Sequence, residues 1–172
     1  MNKIIKILII CAVFALISSS KNFVSNLSDK ESSGIVKLSR FVVKIKNKDT
    51  SGNWIDLGTF FILKEKDGIK TVLRDDDQLG YYESIFFYLK KTEVNNFIKA
   101  MIKGGSFKTS VYYGYINEQS KADGIKNKDI ITKIEKIDGT EYITFSGDSI
   151  KNSENKIAEY AIPLEELKNN LK

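Results

Sequence analysis

The most regular hydrophobic pattern in the chain is a two-residue alternation that begins at Phe41. Phe41, Val43 and Ile45 occupy one set of alternate positions, and lysines occur in the other set. This period is typical of a strand with one buried and one solvated face. Similar runs bounded by turn residues predict further strands at residues 54–64, 69–73, 107–116, 130–137, 140–146 and 156–162.

Two dipeptides between these runs are strong hairpin signals. Asp67-Gly68 separates the second and third predicted strands, and Asp138-Gly139 separates the two strands in the second half of the chain. Both pairs tolerate the positive φ angles that a tight two-residue turn requires. Neighbouring strands should therefore pair in antiparallel fashion.

Two segments have helical rather than strand spacing. Residues 94–102 place apolar side chains on one stripe, Thr92 is positioned to act as the N-cap, and Gly104-Gly105 should end the helix. Pro163 suits the first turn of a second helix at the C-terminus. Acidic residues early in that helix and lysines late match the helix dipole.

These elements together predict an α+β fold. We expect a mostly antiparallel twisted sheet that curls toward a barrel, with one internal helix and one short C-terminal helix. Residues 74–91 leave more than one interpretation open. The run from Arg74 to Asp77 resembles a solvated turn, whereas residues 81–89 fit either a strand or the lead-in to the helix.

The first twenty residues have the pattern of a secretory signal peptide. Lys3 and Lys6 form a positively charged start, and residues 7–17 form an uncharged apolar run. That run is short for a membrane span, which needs roughly 20 residues. Serines follow up to Ser20, so we expect export with cleavage near Ser20. The alternative is an uncleaved N-terminal anchor, which would be the chain's membrane contact.

Export divides the chain into three parts. Residues 1–20 form the signal peptide. Residues 21–39 are rich in Ser, Lys, Asp and Asn and lack apolar periodicity, which is typical of a flexible tether. Residues 40–172 have the length and pattern of a single globular domain.

Composition narrows the possible chemistry. The chain has no histidine, and its single cysteine, Cys11, lies in the signal peptide. The exported part thus lacks the commonest general base, a thiol nucleophile and the usual zinc ligands. We predict that the protein is not an enzyme and that it needs no metal or other cofactor. The acidic run after Arg74 lacks the spacing of a calcium-binding loop.

Charge narrows the possible partners. Without Lys3 and Lys6, the 27 basic and 22 acidic residues become 25 and 22, a net charge of +3. Only Arg40 and Arg74 are arginines, and lysine is the weaker residue for bidentate contacts to phosphates and bases. We therefore expect no binding of nucleic acid.

Lysines and tyrosines are the remaining candidates for function. Aromatic side chains anchor protein interfaces and charges steer partners to them. About half of the tyrosines would instead pack in the core or on the sheet, and most lysines would serve solubility. The candidates are Lys64, Lys66, Lys70, Tyr81, Tyr82, Tyr112, Tyr113 and Tyr115.

Several strings go beyond generic strand and helix patterns. They are FVVKIKNKD at 41–49, NWIDLG at 53–58, GGSFKTSVYYGY at 104–115, ITKIEKIDGTEYITFSGD at 131–148 and AEYAIPLEELKNNLK at 158–172. In this order, and nearly without gaps, they closely resemble the OspE-related (Erp) family of spirochaete outer-surface lipoproteins. The likeness includes the signal peptide and spans most of the chain outside residues 72–93.

The resemblance implies a protein of the cell surface and outer membrane. Its globular domain would bind the C-terminal part of complement factor H or related host proteins, which would suppress complement on the microbe. In such proteins the first hairpin and the residues after it contribute to regulator binding. The contact residues that we expect are Lys64, Lys66, Asp67, Lys70, Arg74, Tyr81 and Tyr82.

The chain departs from the family pattern in two places. Ser20 stands where the family has the cysteine that receives the lipid, and serine cannot form the thioether. No lipidation site is therefore expected, and the protein would be secreted or held by an uncleaved N-terminus. Residues 72–93 are longer and richer in aromatic side chains than the family pattern, so the shared core does not guarantee shared affinity.

A second function remains open beside the first. Some relatives bind plasminogen, for which lysines, including the terminal Lys172, would be the natural contacts. An extracellular-matrix glycan is another ligand that surface lysines could bind. In this alternative the chain is an interaction protein of the envelope without affinity for factor H.

Overall fold

The computed structural model describes residues 40–75, 83–153 and 155–171. The predicted signal peptide and tether, including Ser20, lie outside the described residues. So do three of the predicted contact residues, Tyr81, Tyr82 and Lys172.

Strands make up most of the described chain. The ten strands there are β1 (Arg40–Lys48), β2 (Trp54–Glu65), β3 (Gly68–Asp75), β4 (Glu83–Lys90), β5 (Gly105–Lys108), β6 (Val111–Tyr112), β7 (Ile125–Lys126), β8 (Asp129–Ile137), β9 (Thr140–Ser149) and β10 (Ile157–Pro163). A 3-10 turn at Lys91–Glu93 leads into helix α1 (Val94–Lys103), and helix α2 (Leu164–Asn170) follows β10 directly.

All ten strands belong to one antiparallel sheet in the order β5-β8-β9-β10-β1-β2-β3-β4-β6-β7. The sheet curls, because β5 at one end of this order continues into β6 near the other end through Thr109 and Ser110 alone. The Thr109 amide donates a hydrogen bond to the Lys128 carbonyl next to β8, and the Ser110 amide donates one to the Tyr88 carbonyl in β4. The predicted α+β fold with an antiparallel sheet and two helices is confirmed, and the sheet stops short of a closed barrel.

The inner face of the sheet holds an aromatic core around Phe86, which is fully buried. Its ring centre lies 5.0 Å from that of Tyr160, 5.4 Å from that of Phe60 and 5.6 Å from that of Tyr112, each in an edge-to-face arrangement. Such pairs add to the stabilisation that burial itself provides. The core therefore joins strands β2, β4, β6 and β10 without a disulfide.

Both predicted hairpins form. β2 pairs with β3 from Gly58 to Glu65, and β8 pairs with β9 from Thr132 to Ile137. Gly68 has a φ of +154°, and a Cβ at this position would lie 1.8 Å from the carbonyl oxygen of Leu89. The turn of this hairpin is Lys66-Asp67 rather than the predicted Asp67-Gly68, and Gly68 is the first residue of β3. Position 68 requires glycine because its backbone passes against β4.

Three local predictions are corrected or resolved. Thr92 is not the N-cap of α1. The N-cap is the next residue, Glu93, and the helix itself begins at Val94. The strand predicted at residues 107–116 is broken into β5 and β6, since the chain there changes its pairing partner from β8 to β4. The open segment before α1 forms a strand, β4, rather than an extension of the helix.

Candidate functional site

Four of the predicted contact residues meet at the β2–β3 hairpin. Lys64, Lys66 and Asp67 are exposed, whereas Lys70 is half-buried. Lys64 is the neighbour of Ile69 across the hairpin, and Leu63 is the neighbour of Lys70. The carbonyl of Asp67 accepts a hydrogen bond from the Lys91 amide at 2.8 Å, which ties the turn to the end of β4. The hairpin end therefore presents charged side chains on a fixed backbone.

Arg74 lies apart from this group. It is on the same face of β3 as Lys70, four residues further, or about 13 Å along the strand. Its guanidinium lies 5.2 Å from the ring centre of Phe61, and that of Arg40 lies 4.6 Å from the same ring. Both contacts are cation–π interactions. The structure thus spreads the predicted contact residues over the length of β3.

A second group of residues, which we call the Glu118 cluster, surrounds a buried carboxylate next to β6, β9 and β10. Glu118 is 1% exposed. It accepts hydrogen bonds from the Tyr112 hydroxyl at 2.9 Å and from the Tyr115 amide at 2.7 Å. The Tyr160 hydroxyl and the Asp148 amide donate to it as well. Since these donors come from β6, β9, β10 and the β6–β7 connection, one carboxylate holds four parts of the fold.

Two glycines make room for this carboxylate. A Cβ at Gly114 would lie 2.5 Å from Oε1 of Glu118, and one at Gly147 would lie 2.6 Å from its Oε2. Gly114 also has a φ of +70°, a conformation that favours glycine. The backbone can approach Glu118 closely only because both positions lack a side chain.

Burial sets the protonation behaviour of the cluster. It raises the pKa of Glu118 above its usual value, and the hydrogen bonds from Tyr160, Tyr115, Asp148 and Tyr112 oppose this shift without cancelling it. Burial likewise raises the pKa of the Tyr160 phenol well above its usual value, and the negative charge of Glu118 adds to the rise. The same holds for Tyr112, with further contributions from Tyr160 and Glu118. Both phenols therefore keep their protons and act as donors.

No sequence pattern points to Glu118, and its neighbours Tyr112 and Tyr115 were predicted only as candidates for an interface. Tyr112, a candidate interface residue by sequence, is fully buried in the core. Tyr113 and Tyr115 are half-buried beside the cluster. The signal that points to this region is the string YYGY at 112–115, in which a glycine interrupts three tyrosines.

The described residues show neither a metal-binding cluster nor a helix that could span a membrane. Within residues 40–75, 83–153 and 155–171, no group of three or more His, Cys, Asp or Glu side chains is arranged to hold a metal ion. In the same part of the chain, no helix combines the length and apolar character needed to cross a membrane.

A family model and solved structures of Borrelia outer surface proteins match this chain. The family model described as Borrelia outer surface protein E matches residues 38–170. ErpC of Borrelia burgdorferi, described as a complement regulator acquiring outer surface protein, is 61% identical, with a TM-score of 0.73 over 80% of this chain and 100% of that one. No curated protein sequence matches the chain at a significant level.

Two further solved structures are similar to the same extent. ErpP of Borrelia burgdorferi, described as complement regulator-acquiring surface protein 3, is 60% identical, with a TM-score of 0.72 over 79% of this chain and 100% of that one. The solution structure of outer surface protein E is 61% identical, with a TM-score of 0.72 over 84% of this chain and 96% of that one.

The fold and these similarities identify a β-rich domain of the bacterial outer-surface type, which carries a charged β2–β3 hairpin. The chain belongs to the OspE family of Borrelia outer surface proteins, as the match over residues 38–170 shows.

Proposed function

We propose that this chain is an exported, non-enzymatic binding module that acquires a host complement regulator, factor H or a related protein, at the cell surface. The observation that carries the proposal is the likeness to ErpC and ErpP, both described as complement regulator-acquiring surface proteins and both covered over their full length at about 60% identity. These descriptions favour a complement regulator over plasminogen or a matrix glycan.

The hairpin end supports the proposal because its chemistry suits a protein partner. Lys64, Lys66 and Asp67 are exposed on a turn that the Lys91–Asp67 hydrogen bond holds in place. Binding to a preorganised loop costs less conformational entropy than binding to a mobile one. We propose Lys64, Lys66, Asp67, Lys70, Arg74, Tyr81 and Tyr82 as contact residues.

Surface plasmon resonance against the C-terminal domains of factor H tests the proposed function. We expect saturable binding in the micromolar range or tighter, and absence of binding there would refute the proposal. The triple variant K66A/D67A/K70A should then bind more weakly while remaining folded.

A matched control is available on β8. The variant K133A/E135A/K136A also removes two lysines and one acidic residue from exposed positions, and three strands separate β8 from β2 in the sheet order. It should bind like the unchanged protein. Equal weakening by both triple variants would indicate a general charge effect rather than a contact at the hairpin.

The division of the chain into a signal peptide at 1–20, a tether at 21–39 and a binding domain at 40–172 is part of the same proposal. The serine at position 20 excludes the thioether through which a lipid would be attached there. Mass spectrometry of the native N-terminus should find a chain that begins near residue 21 without a lipid, or an uncleaved chain that begins at Met1. A lipidated N-terminus would contradict this.

A further inference from the structure

A pocket opens between the start of β4 and the connection that follows β6. Its volume is about 490 Å³, within the range of roughly 300–1,000 Å³ typical of ligand pockets. Its lining combines two isoleucines and two tyrosines with two serines, two lysines and two glutamates. The lining includes Ile85, Tyr113, Tyr115, Ile116, Ser84 and Ser120.

The walls of this pocket are held in place before any ligand arrives. Glu118 holds the connection that follows β6 in place, and it also lines the pocket. The Gln119 amide donates to the Ser149 carbonyl at 2.7 Å, and the Lys151 amide donates to the Asn117 carbonyl at 2.8 Å. A preformed pocket of this kind needs little ordering when it is filled.

One polar group in the lining lacks a partner. The Ser120 hydroxyl oxygen is buried and has no hydrogen-bond partner among the described residues. Buried polar groups are nearly always paired, since an unpaired one costs free energy. A ligand that brings an N–H or O–H group to Ser120 would satisfy it.

We propose that this pocket receives one aromatic side chain of the acquired protein, a tryptophan or tyrosine whose N–H or O–H group donates to the Ser120 hydroxyl. Tyr113 and Tyr115 offer aromatic surfaces for ring packing, and Lys121 at the lining offers a cation to the incoming ring. Aromatic residues that fill pockets carry most of the binding energy in protein interfaces.

The position of the pocket is continuous with the proposed contact residues. Arg74 is paired with Glu83 across β3 and β4, and Glu83 lines the pocket. The inference rests on the proposed function, because the occupant belongs to the acquired protein. It adds a contact at the Arg74 end of β3, at the other end of that strand from the hairpin.

The pocket can be tested without the partner by titrating the isotope-labelled protein with 3-methylindole, which is the tryptophan side chain as a free molecule. Amide chemical shifts should move for residues 84–85 and 113–121 at millimolar concentrations. The absence of shifts in both segments would overturn the proposal, whether or not the protein binds factor H.

The second test measures factor H binding by a variant whose added side chain fills the pocket. Ser84→Trp should weaken binding to the C-terminal factor H domains by about 30-fold or more, as expected for loss of an anchor residue. Ser106→Trp, at an exposed position on β5, is the control and should change affinity by no more than about twofold.

The outcomes separate the two proposals. If the unchanged protein binds factor H and Ser84→Trp binds equally well, the pocket inference is wrong and the proposed function stands. If the unchanged protein does not bind, the proposed function and the occupant assigned to the pocket both fail, and the 3-methylindole titration decides only whether the pocket takes an aromatic ring. If Ser84→Trp does not fold, Ile116→Asp replaces it, because Ile116 lines the pocket while 58% exposed, and it must lose both indole and factor H binding.

Discussion

The hairpin end and the Glu118 cluster use charge in opposite ways. At the hairpin, Lys64, Lys66 and Asp67 project into solvent. At the cluster, one carboxylate is almost fully buried and accepts hydrogen bonds from two phenols and two backbone amides. Exposed charges contribute little to stability and are available to a partner, whereas a buried charge must be satisfied within the fold.

This difference separates recognition from architecture within one small domain. Substitutions of the exposed charged side chains at the hairpin should change binding and leave folding intact. Substitutions at the cluster should destabilise the fold, and through it the pocket whose wall Glu118 forms. Variants at Glu118, Gly68 and the hairpin lysines can test this separation.

Replacing Glu118 with alanine should have the largest effect. The buried hydroxyls of Tyr112 and Tyr160 would lose their acceptor, and so would the part-buried amides of Tyr115 and Asp148. We expect the free energy of unfolding to fall by about 3–5 kcal/mol, as measured by urea denaturation.

The control for this change is Glu135→Ala, which removes the same side chain from an exposed position on β8 and should change stability by less than about 0.5 kcal/mol. If the two alanine variants were equally stable, the cluster would have no architectural role.

Gly68→Ala should come next. The added Cβ would collide with the Leu89 carbonyl oxygen at 1.8 Å, so the hairpin backbone must move away from β4. We expect a loss of about 2–4 kcal/mol in the free energy of unfolding. Gly52→Ala is the matched control, since Gly52 also has a positive φ but no atom lies within 4 Å of its added Cβ. A loss no larger than that of the control would show that the contact is easily relieved.

The free energy of unfolding should depend on pH in part through the titration of Glu118. Because its pKa is higher in the folded than in the unfolded chain, the folded state binds the proton more tightly. The stabilising contribution is therefore fully present below the unfolded pKa, about 4.3, and is lost as the pH rises through the folded pKa. The slope is at most about 1.4 kcal/mol per pH unit.

The variant Glu118→Gln isolates this contribution, because it keeps the shape of the side chain and removes its titration. Urea denaturation of both proteins between pH 4 and pH 7 gives the difference in their free energies of unfolding. Other acids, such as Asp49 and Glu93, whose pKa values are lowered by hydrogen bonds from backbone amides, cancel in this difference. A difference independent of pH would show that the pKa of Glu118 is the same in both states.

The smallest effect on stability is expected for the double variant K64A/K66A. Both side chains are exposed at the hairpin, so the free energy of unfolding should stay within about 0.5 kcal/mol of the unchanged protein. Thermal unfolding measures this. A larger loss would mean that the hairpin lysines support the fold, and the contrast with the Glu118 cluster would not hold.

Local chemistry explains the parts of the fold that could be predicted. The Asp138-Gly139 turn formed as predicted, with a positive φ at both residues, because glycine and aspartate carry their conformational preferences with them. The β2–β3 hairpin also formed, although its turn lies one residue earlier than predicted, at Lys66-Asp67. The alternation after Phe41 identified β1 because its period depends only on which face is buried. The position of the hairpin lysines followed from the turn itself.

Long-range contacts explain the parts that could not. The break between β5 and β6 occurs where the chain exchanges β8 for β4 as its partner, and nothing within residues 107–116 announces that exchange. Thr92 has the side chain of an N-cap, yet the preceding 3-10 turn moves the cap to Glu93. The choice between strand and helix after Arg74 depended on the pairing of β4 with β3.

The antiparallel α+β class, the two hairpins and the family could be predicted from the amino-acid sequence, because each depends on short-range preferences or on sequence motifs shared with relatives. The role of Glu118 and the existence of the pocket became visible in the tertiary structure. The donors to that carboxylate lie 3, 6, 30 and 42 residues away along the chain, so a glutamate that resembles any other surface acid in the sequence becomes a buried acceptor only when four separate segments converge on it.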